Sequence, residues 1–203
     1  LTRDLREDTM NKMTPVTMPN FTSKGRPGVQ LSTTQLMEQA GKRTGLSDFG
    51  DNWFMDPFKA LIGFVNHEGG LKTAEVWPVR RVVDMLCDRL NMVEYIKRNP
   101  DVLKEEVDGA GIIVCHARGG STLTQRLVGR SPQLRATYFW ELHTPVPLRD
   151  EKRGEFQRRI EIGNAEVRAW AEALPEHSSM HPHDAQFHEE DLVLGDRGFL
   201  SYM

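Results

Sequence analysis

Hydrophobic residues recur every three or four positions between residues 31 and 99, a spacing that predicts amphipathic helices. Residues 32–34 (Ser-Thr-Thr) are candidate N-caps for the first helix. Further hydrophobic stripes lie in residues 54–65 and 79–90. Pro78 is compatible with the last of these helices only in its first turn, where a missing N–H breaks no hydrogen bond. The sequence therefore predicts a helical region in the first half of the chain.

The pattern changes after residue 109. Residues 111–116 form a short, β-branched apolar run, which is typical of a buried strand. Residues 121–130 predict a helix, residues 136–140 a second strand and residues 150–174 a long amphipathic helix. This order predicts the opening strand–helix–strand of an α/β domain. The side chains expected to face inward from the first of these helices are Leu123, Leu127 and Val128.

Three regions follow from these patterns. Residues 1–30 are polar, rich in proline and glycine, and predict an extended arm. Residues 31–108 form the helical front region, which ends in a short helix capped by Asp101. Residues 109–203 begin the α/β domain.

Composition limits the location and the partners. With 203 residues, 38% of them hydrophobic, the chain can build a core, and a net charge of −3 excludes a general nucleic-acid binder. Two cysteines cannot form a disulfide framework, so we expect a reducing, cytoplasmic location. The longest apolar run is too short to span a bilayer, and no secretory leader is visible.

The turn Arg-Gly-Gly-Ser-Thr at residues 118–122 is a candidate anion site between the first strand and its helix. Two glycines let successive N–H groups converge, and the N-terminus of the helix adds unpaired donors and partial positive charge. Arg118 supplies a permanent charge and a planar fork suited to phosphate or sulfate oxygens. The alternative is a purely structural glycine turn.

Two other nucleotide-binding classes are open alternatives. A P-loop kinase or a related nucleoside-phosphate enzyme would carry G-x-x-x-x-G-K-[ST]. Here Ser121 follows Gly120, and no lysine occurs between Lys104 and Lys152. The second alternative is a non-catalytic module, in which the turn would bind a nucleotide but catalyse no reaction.

The turn resembles the phosphosulfate-binding loop of bacterial-type sulfotransferases, which reads G-x-P-R-T-G-T-T where this chain reads CHARGGSTLT. Three further segments, residues 44–54, 87–107 and 131–147, resemble other elements of that family. The resemblance extends over residues 35–200. The loop positions that match are Arg118, Gly120, Ser121, Thr122 and Leu123, and those that depart are Cys115, Ala117 and Gly119.

The resemblance implies an α/β fold, with a P-loop-like parallel sheet after the helical region. It implies transfer of a sulfuryl group from 3′-phosphoadenylyl sulfate to a hydroxyl or amine, with no metal required. The acceptor, a small molecule, a glycan or a lipid, and the oligomeric state are left open. The residues expected to bind the donor are Arg118, Gly119, Gly120, Ser121 and Thr122, and Arg118 would also stabilise the transferring group.

The transfer also needs a base for the acceptor's proton. Related bacterial sulfotransferases place a glutamate after the second strand, which makes Glu141 the first candidate. His143 could share or replace that role. The alternative is a structural Glu141 that caps the turn or pairs with Arg118 or Arg135.

Four histidines stand within the twelve residues 177–188. The resemblance places an acceptor-side loop here, so His181 and His183 are candidate substrate contacts. A metal site formed by these two residues with Asp184, or a solvated polar loop, are the alternatives. One member of the Glu189-Glu190 pair would cap the following helix.

The family continues well beyond the position of Met203, with further strands and the residues that hold the donor's 3′-phosphate. The chain also begins at Leu1 rather than at a methionine. We therefore expect an N-terminal fragment that holds only the first strands of the sheet. Alone, it would be aggregation-prone or partly molten, and inactive.

Overall fold

The computed structural model describes residues 30–67, 76–106, 109, 111–114, 116 and 119–200. The chain divides into two compact units, one of Leu1–Arg98 with Asp196–Met203 and one of Asn99–Gly195. The predicted polar arm lies outside the described residues except for Gln30. Within the described part, no helix has the length and apolar character needed to cross a membrane.

Three α-helices build the first unit, as the hydrophobic stripes predict. The Ser32 hydroxyl caps the first by accepting a hydrogen bond from Gln35 N at 3.4 Å. Gly45 ends this helix in the left-handed region, with φ 72°. Pro78 lies in the first turn of the third helix, where it was expected. The helices are α1 (Thr33–Thr44), α2 (Met55–His67), which follows a 3₁₀ turn at Asn52–Phe54, and α3 (Val76–Arg98).

One hydrophobic core fills this unit where the stripes of the three helices meet. Phe199, from the far end of the sequence, stacks its ring on Phe58 with 4.5 Å between centroids. Burying such a side chain contributes about 1.5–3 kcal/mol. The buried members of the core are Leu36, Ala40, Phe54, Phe58, Ile62, Val79, Val82, Val83, Met85, Leu86, Cys87, Leu90 and Phe199.

Arg89 fixes the segment 44–54 against α3. Its Nε donates to the Phe49 carbonyl and its Nη2 to the Asp51 carbonyl, both at 2.8 Å. The guanidinium also lies 4.0 Å from the centroid of the Phe54 ring. A buried arginine therefore holds residues 49–51 through their backbone, just before the 3₁₀ turn at Asn52–Phe54.

Short helices and turns build the second unit around a one-turn helix, α5 (Phe139–His143), and the longer α6 (Gln157–Ala173). Gly163 of α6 allows a close approach, since a Cβ there would lie 3.1 Å from both the Trp140 and the Ala185 Cβ atoms. The buried Arg159 donates to the Thr144 carbonyl at 3.0 Å and pairs with Glu151. The elements are a 3₁₀ turn (Pro100–Lys104), α4 (Ser121–Val128), α5 (Phe139–His143), α6 (Gln157–Ala173), α7 (Pro175–Met180) and α8 (Leu192–Asp196), whose last residue belongs to the first unit.

The prediction of an α/β fold is wrong for the described residues, none of which forms a β-strand. Residues 111–114 belong to no helix or strand, and the exposed fractions of Ile112 and Val114 are 85% and 88%. A buried parallel strand needs hydrogen-bonding neighbours and cover on both faces. No segment of the described chain supplies them to residues 111–114, and its strand pairing is limited to an isolated antiparallel bridge between Tyr138 and His188.

The predicted second strand, residues 136–140, is also wrong, because α5 begins at Phe139. A single helical turn buries Phe139, Trp140 and Leu142 together. The alternation of a strand would send the first two of these side chains to opposite faces. Packing of this aromatic pair therefore overrides its preference for strands.

The expected inward face of α4 is wrong for its two leucines, whereas Val128 is half-buried. Leu123 and Leu127 are 65% and 61% exposed. The helix instead directs Gln125 and Arg126 to hydrogen-bond acceptors in residues 181–190. These bonds set the rotation of α4 and leave its leucines on the surface.

The short helix expected after Asp101 is a 3₁₀ turn that ends at Lys104. Asp101 does not cap it. Its carboxylate pairs instead with Lys104 Nζ at 2.7 Å, inside the turn.

Candidate functional site

The glycine turn before α4 has the shape of a helix-opening loop. Gly119 N donates to the His116 carbonyl at 2.9 Å, and a Cβ on Gly119 would lie 2.8 Å from that oxygen. Gly120, the N-cap of α4, has φ 85°, in the left-handed region that favours glycine. The first-turn N–H groups of a helix have no acceptor within the helix, so they can face an anion. Arg118 lies outside the described residues.

A carboxylate already lies at this turn. The Ser121 hydroxyl donates to Glu190 Oε1 at 2.6 Å, and Ser121 is the first residue of α4. A negative charge is favourable at a helix N-terminus. Glu190 therefore accepts the hydrogen bond from the Ser121 hydroxyl, which the sequence predicts for the anionic sulfuryl donor.

Residues 181–190, which we call the histidine loop, are anchored on α4 and on the residues before α5. Gln125 Nε2 donates to the Glu189 carbonyl, and Arg126 Nη2 donates to the Pro182 carbonyl at 2.9 Å. Glu189 N donates to the Thr137 carbonyl at 3.1 Å. The glycine turn and the histidine loop are therefore parts of one site within the second unit.

Within this loop, His181 and His183 meet the buried carboxylate of Glu189. His183 Nδ1 lies 3.2 Å and His181 Nε2 lies 3.5 Å from Glu189 Oε2. Burial alone would raise the pKa of Glu189. The hydrogen bonds from His183 and from Glu190 N, with the charges of both imidazoles, outweigh it and hold that pKa below its usual range. The third residue grouped with the two histidines is thus Glu189 and not Asp184, whose carboxylate accepts a hydrogen bond from Gln186 N at 2.8 Å.

Glu141, the candidate base, has two local partners. Its Oε1 pairs with Arg135 Nη2 at 2.5 Å, and its Oε2 accepts from Tyr138 N at 3.0 Å at the start of α5. Among the described residues it makes no hydrogen bond to the histidines or to Ser121. Both structural roles considered for this residue, a cap and an ion pair with Arg135, are therefore present, and its role as a base is still a prediction.

His143 lies in an aromatic cluster. Its side chain is 3% exposed, and its Nδ1 lies 2.9 Å from Glu166 Oε1. Its ring stacks on Phe139 at 3.9 Å and meets the edge of Trp170 at 5.4 Å. His183 also lies beside Phe139, at 5.7 Å, and Trp170, at 5.3 Å. Two sequence-predicted histidines thus share the same pair of aromatic rings.

Gln125, which connects α4 to the histidine loop, is not among the residues predicted from the sequence, and Ser121 was predicted only as a donor contact. Ser121 and Gln125 lie four positions apart on one face of α4, and both bond to the histidine loop. The spacing of Ser121 and Gln125 is visible in the sequence, but their partners in the histidine loop lie more than sixty residues further along the chain. The acidic pair at residues 189 and 190 was assigned only to a helix cap, although it provides the acceptors for Ser121 and for both histidines.

The chain is similar in fold to parts of two solved bacterial sulfotransferases. Sulfotransferase STF9 from Mycobacterium avium matches at a TM-score of 0.66 and 22% identity, over 88% of this chain and 46% of that one. Sulfotransferase STF1 from Mycobacterium tuberculosis H37Rv matches at 0.63 and 19% identity, over 84% and 47%. The chain thus spans a little under half of each neighbour. No family model and no curated protein sequence matches it.

Proposed function

We propose that this chain is part of a cytoplasmic sulfotransferase that uses 3′-phosphoadenylyl sulfate. The bond between sulfur and the leaving adenosine 3′,5′-bisphosphate breaks as a bond between sulfur and an acceptor hydroxyl or amine forms. The acceptor's proton passes to a base. The fold shared with two sulfotransferases supports this class of reaction, and the loop residues that resemble the phosphosulfate-binding loop support the donor.

The observation that carries the proposal is the glycine turn that opens α4. Gly120 lies in the left-handed region and Ser121 starts the helix, which supports an anion site because the first-turn N–H groups of a helix have no acceptor within it. A phosphosulfate bound there would contact the backbone from Gly119 to Thr122, with Arg118 placed one residue earlier in the sequence. The charge on Glu190 opposes such binding, and the donor has to displace it from Ser121.

The remaining roles belong to the same proposal. Glu141, with His143 as the alternative, would accept the proton. His181 and His183 would contact the acceptor, which would be a small molecule, a glycan or a lipid. No metal is needed for the transfer itself, because charge neutralisation by Arg118 and backbone N–H groups can supply its electrostatic stabilisation.

Calorimetry on the full-length protein tests donor binding. We expect adenosine 3′,5′-bisphosphate to bind, and Arg118→Ala to weaken it roughly 10- to 100-fold through loss of charged hydrogen bonds. Arg130→Ala removes the same charge just beyond α4 and serves as the matched control. Magnesium-dependent ATP binding instead would reject the proposal in favour of a kinase-like enzyme. Donor binding without transfer of labelled sulfate to any acceptor in a broad screen would favour a non-catalytic module.

The base is tested by turnover of Glu141→Gln. The amide oxygen can still accept from Tyr138 N, so the start of α5 is preserved. If Glu141 is the base, Glu141→Gln should lower kcat by about 100-fold or more while donor affinity stays within about twofold. If kcat stays at the wild-type value, Glu141 is a structural residue and His143→Gln becomes the decisive variant.

A further inference from the structure

We propose that His181, His183 and Glu189 bind a divalent transition metal ion such as Zn²⁺. Each side chain offers one ligand atom, and the three atoms lie within 4.8 Å of one another. Glu189 Oε2 lies 3.5 Å from His181 Nε2 and 3.2 Å from His183 Nδ1. Ligands about 2.0–2.1 Å from a tetrahedral zinc ion lie about 3.3 Å apart. Two of the three separations thus have the spacing of bound ligands.

The backbone that carries these ligands is fixed from outside the loop. Arg126 holds the Pro182 carbonyl, between the two histidines, at 2.9 Å. Glu189 is held on both sides, through its N–H to the Thr137 carbonyl at 3.1 Å and through its carbonyl to Gln125. A metal site needs such supporting contacts to orient its ligands. Here α4 and the chain before α5 supply them.

The rings need only a local adjustment to share an ion. They are stacked, with 4.4 Å between centroids and 12° between planes, so one ring has to turn before both can hold the same ion in their planes. His183 is 8% exposed and lies beside Phe139 and Trp170, which restrict its ring. The His181 side chain is 27% exposed and is the one that can turn about its broad χ2 torsion. An ion would therefore approach from the side of His181.

The ligand set selects the kind of ion. Two imidazole nitrogens with one carboxylate oxygen suit zinc, cobalt or nickel, whereas Mg²⁺ and Ca²⁺ prefer oxygen ligands. Three protein ligands leave a coordination position open, as in catalytic rather than structural zinc sites. The open position could take an oxygen of a bound acceptor or anion. Ion binding would use the two histidines that the proposed function assigns to the acceptor, although the sulfuryl transfer itself needs no metal.

Titration of the untagged protein with Co²⁺ tests the site, because cobalt bound by nitrogen and oxygen ligands at low coordination number absorbs visibly. We expect one equivalent to produce this absorption and Zn²⁺, but not Mg²⁺, to abolish it. His181→Gln and Glu189→Gln should each weaken binding by at least about tenfold, since each removes one of three ligands. His188→Gln is the matched control, because this histidine belongs to the same loop but stacks on Tyr138.

Three results would overturn the site. The first is no cobalt absorption with a fold intact by circular dichroism. The second is an unchanged affinity in both His181→Gln and Glu189→Gln. The third is an equal loss in His188→Gln. His181 is partly exposed, so its substitution should leave folding intact even if Glu189→Gln does not fold.

Discussion

The Ser121 hydroxyl donates a hydrogen bond to Glu190 Oε1 at 2.6 Å. This bond lies at the N-terminus of α4, where the anionic sulfuryl donor is expected to bind. The carboxylate gains from the partial charge of the helix and from this hydrogen bond. A bound phosphosulfate would draw on the same sources of stabilisation. In the proposed function the two anions would therefore compete, and Glu190 would lower the affinity of the turn for the sulfuryl donor.

Removing the charge of Glu190 should strengthen donor binding. We expect Glu190→Gln to lower the Kd for adenosine 3′,5′-bisphosphate about three- to tenfold, as the loss of one nearby like charge in a partly exposed site predicts. Calorimetry measures the change. Glu176→Gln removes an exposed charge from α7 in the same unit and should leave Kd within about twofold. Weaker binding in Glu190→Gln would mean that the carboxylate supports the turn and does not compete.

Cys87 should be an unreactive thiol. Burial raises its pKa to about 11, and the residue is 8% exposed in the core of the first unit. At pH 8 only about one molecule in a thousand then carries the thiolate, against about a quarter for an ordinary cysteine. In Cys115→Ser, alkylation by iodoacetamide should be at least about 100-fold slower than for free cysteine. The thiolate fraction, and with it the rate, should rise about tenfold per pH unit up to about pH 10.

The matched control for Cys87 is the same variant in denaturant. Unfolding removes the burial that raises the pKa, so the thiol should react there at the rate of free cysteine. Fast alkylation of the folded protein at pH 8 would show that Cys87 is accessible and that its thiolate is not disfavoured.

At the scale of elements, helices with local signals could be predicted from the sequence. Ser32 and Gly45 lie at the two ends of α1, and the stripe of residues 79–90 lies within α3. Such signals act through contacts three or four residues apart, so the sequence alone contains them. The predicted strands failed because a strand depends on distant partners. Residues 111–114 have the composition of a strand, but no described segment pairs with them.

The same reasoning explains which part of the site could be predicted. The Gly119-Gly120 turn is local and was found. The bonds from Ser121 to Glu190 and from Gln125 to Glu189 span more than sixty residues, and no local pattern pairs them. The histidine pair was predicted as a substrate contact, and the alternative of a metal site placed Asp184, not Glu189, beside it. Only the fold brings Glu189 back to these rings.

The exposed face of α4 should promote self-association. Leu123 and Leu127 lie four residues apart on one face and are 65% and 61% exposed. Exposed apolar surface of this kind favours association. Sedimentation velocity of the 203-residue chain should therefore show concentration-dependent association, and the double variant Leu123→Gln with Leu127→Gln should reduce it.

The control for this effect is Leu103→Gln, which removes an equally exposed leucine outside α4. It should change the association less than the α4 double variant does. A wild-type chain that stays monomeric across the concentration range would contradict the prediction, as would a double variant that associates as strongly as the wild type.

At the scale of the whole molecule, the end of the described chain returns to the first unit. Arg81 pairs with Asp196 at 2.9 Å, and Arg197 Nε donates to Asp88 at 3.0 Å. Burial raises the pKa of Asp88 and lowers that of Arg197. The Arg197 side chain is 6% exposed and that of Asp88 is 29% exposed, so water reaches this pair only from the side of the carboxylate. These contacts join positions more than one hundred residues apart, so the unit cannot complete its fold from Leu1–Arg98 alone.

Phe199 makes this dependence measurable. Its ring, 7% exposed, stacks on Phe58 at 4.5 Å and lies 6.3 Å from Phe54. Phe199→Ala should lower the free energy of unfolding of the first unit by about 3–5 kcal/mol, the cost of emptying a buried aromatic site. Urea denaturation, monitored by hydrogen exchange of amides in α1 and α3, measures this loss of stability.

The backbone conformation at Phe199 costs stability, whereas the packing of its ring contributes stability. Two substitutions at this residue can separate these effects. Its φ of 57° lies in the left-handed region, which costs a residue other than glycine about 1–2 kcal/mol. Phe199→Gly removes the same ring as Phe199→Ala but also relieves this backbone strain. Glycine makes the unfolded chain more flexible, which offsets part of the stability gained from the relief. It should therefore retain up to about 1 kcal/mol more stability than Phe199→Ala. Leu200→Ala, at a neighbouring residue 67% exposed, should cost less than about 0.5 kcal/mol. If Phe199→Ala costs no more than Leu200→Ala, the returning segment does not stabilise the first unit.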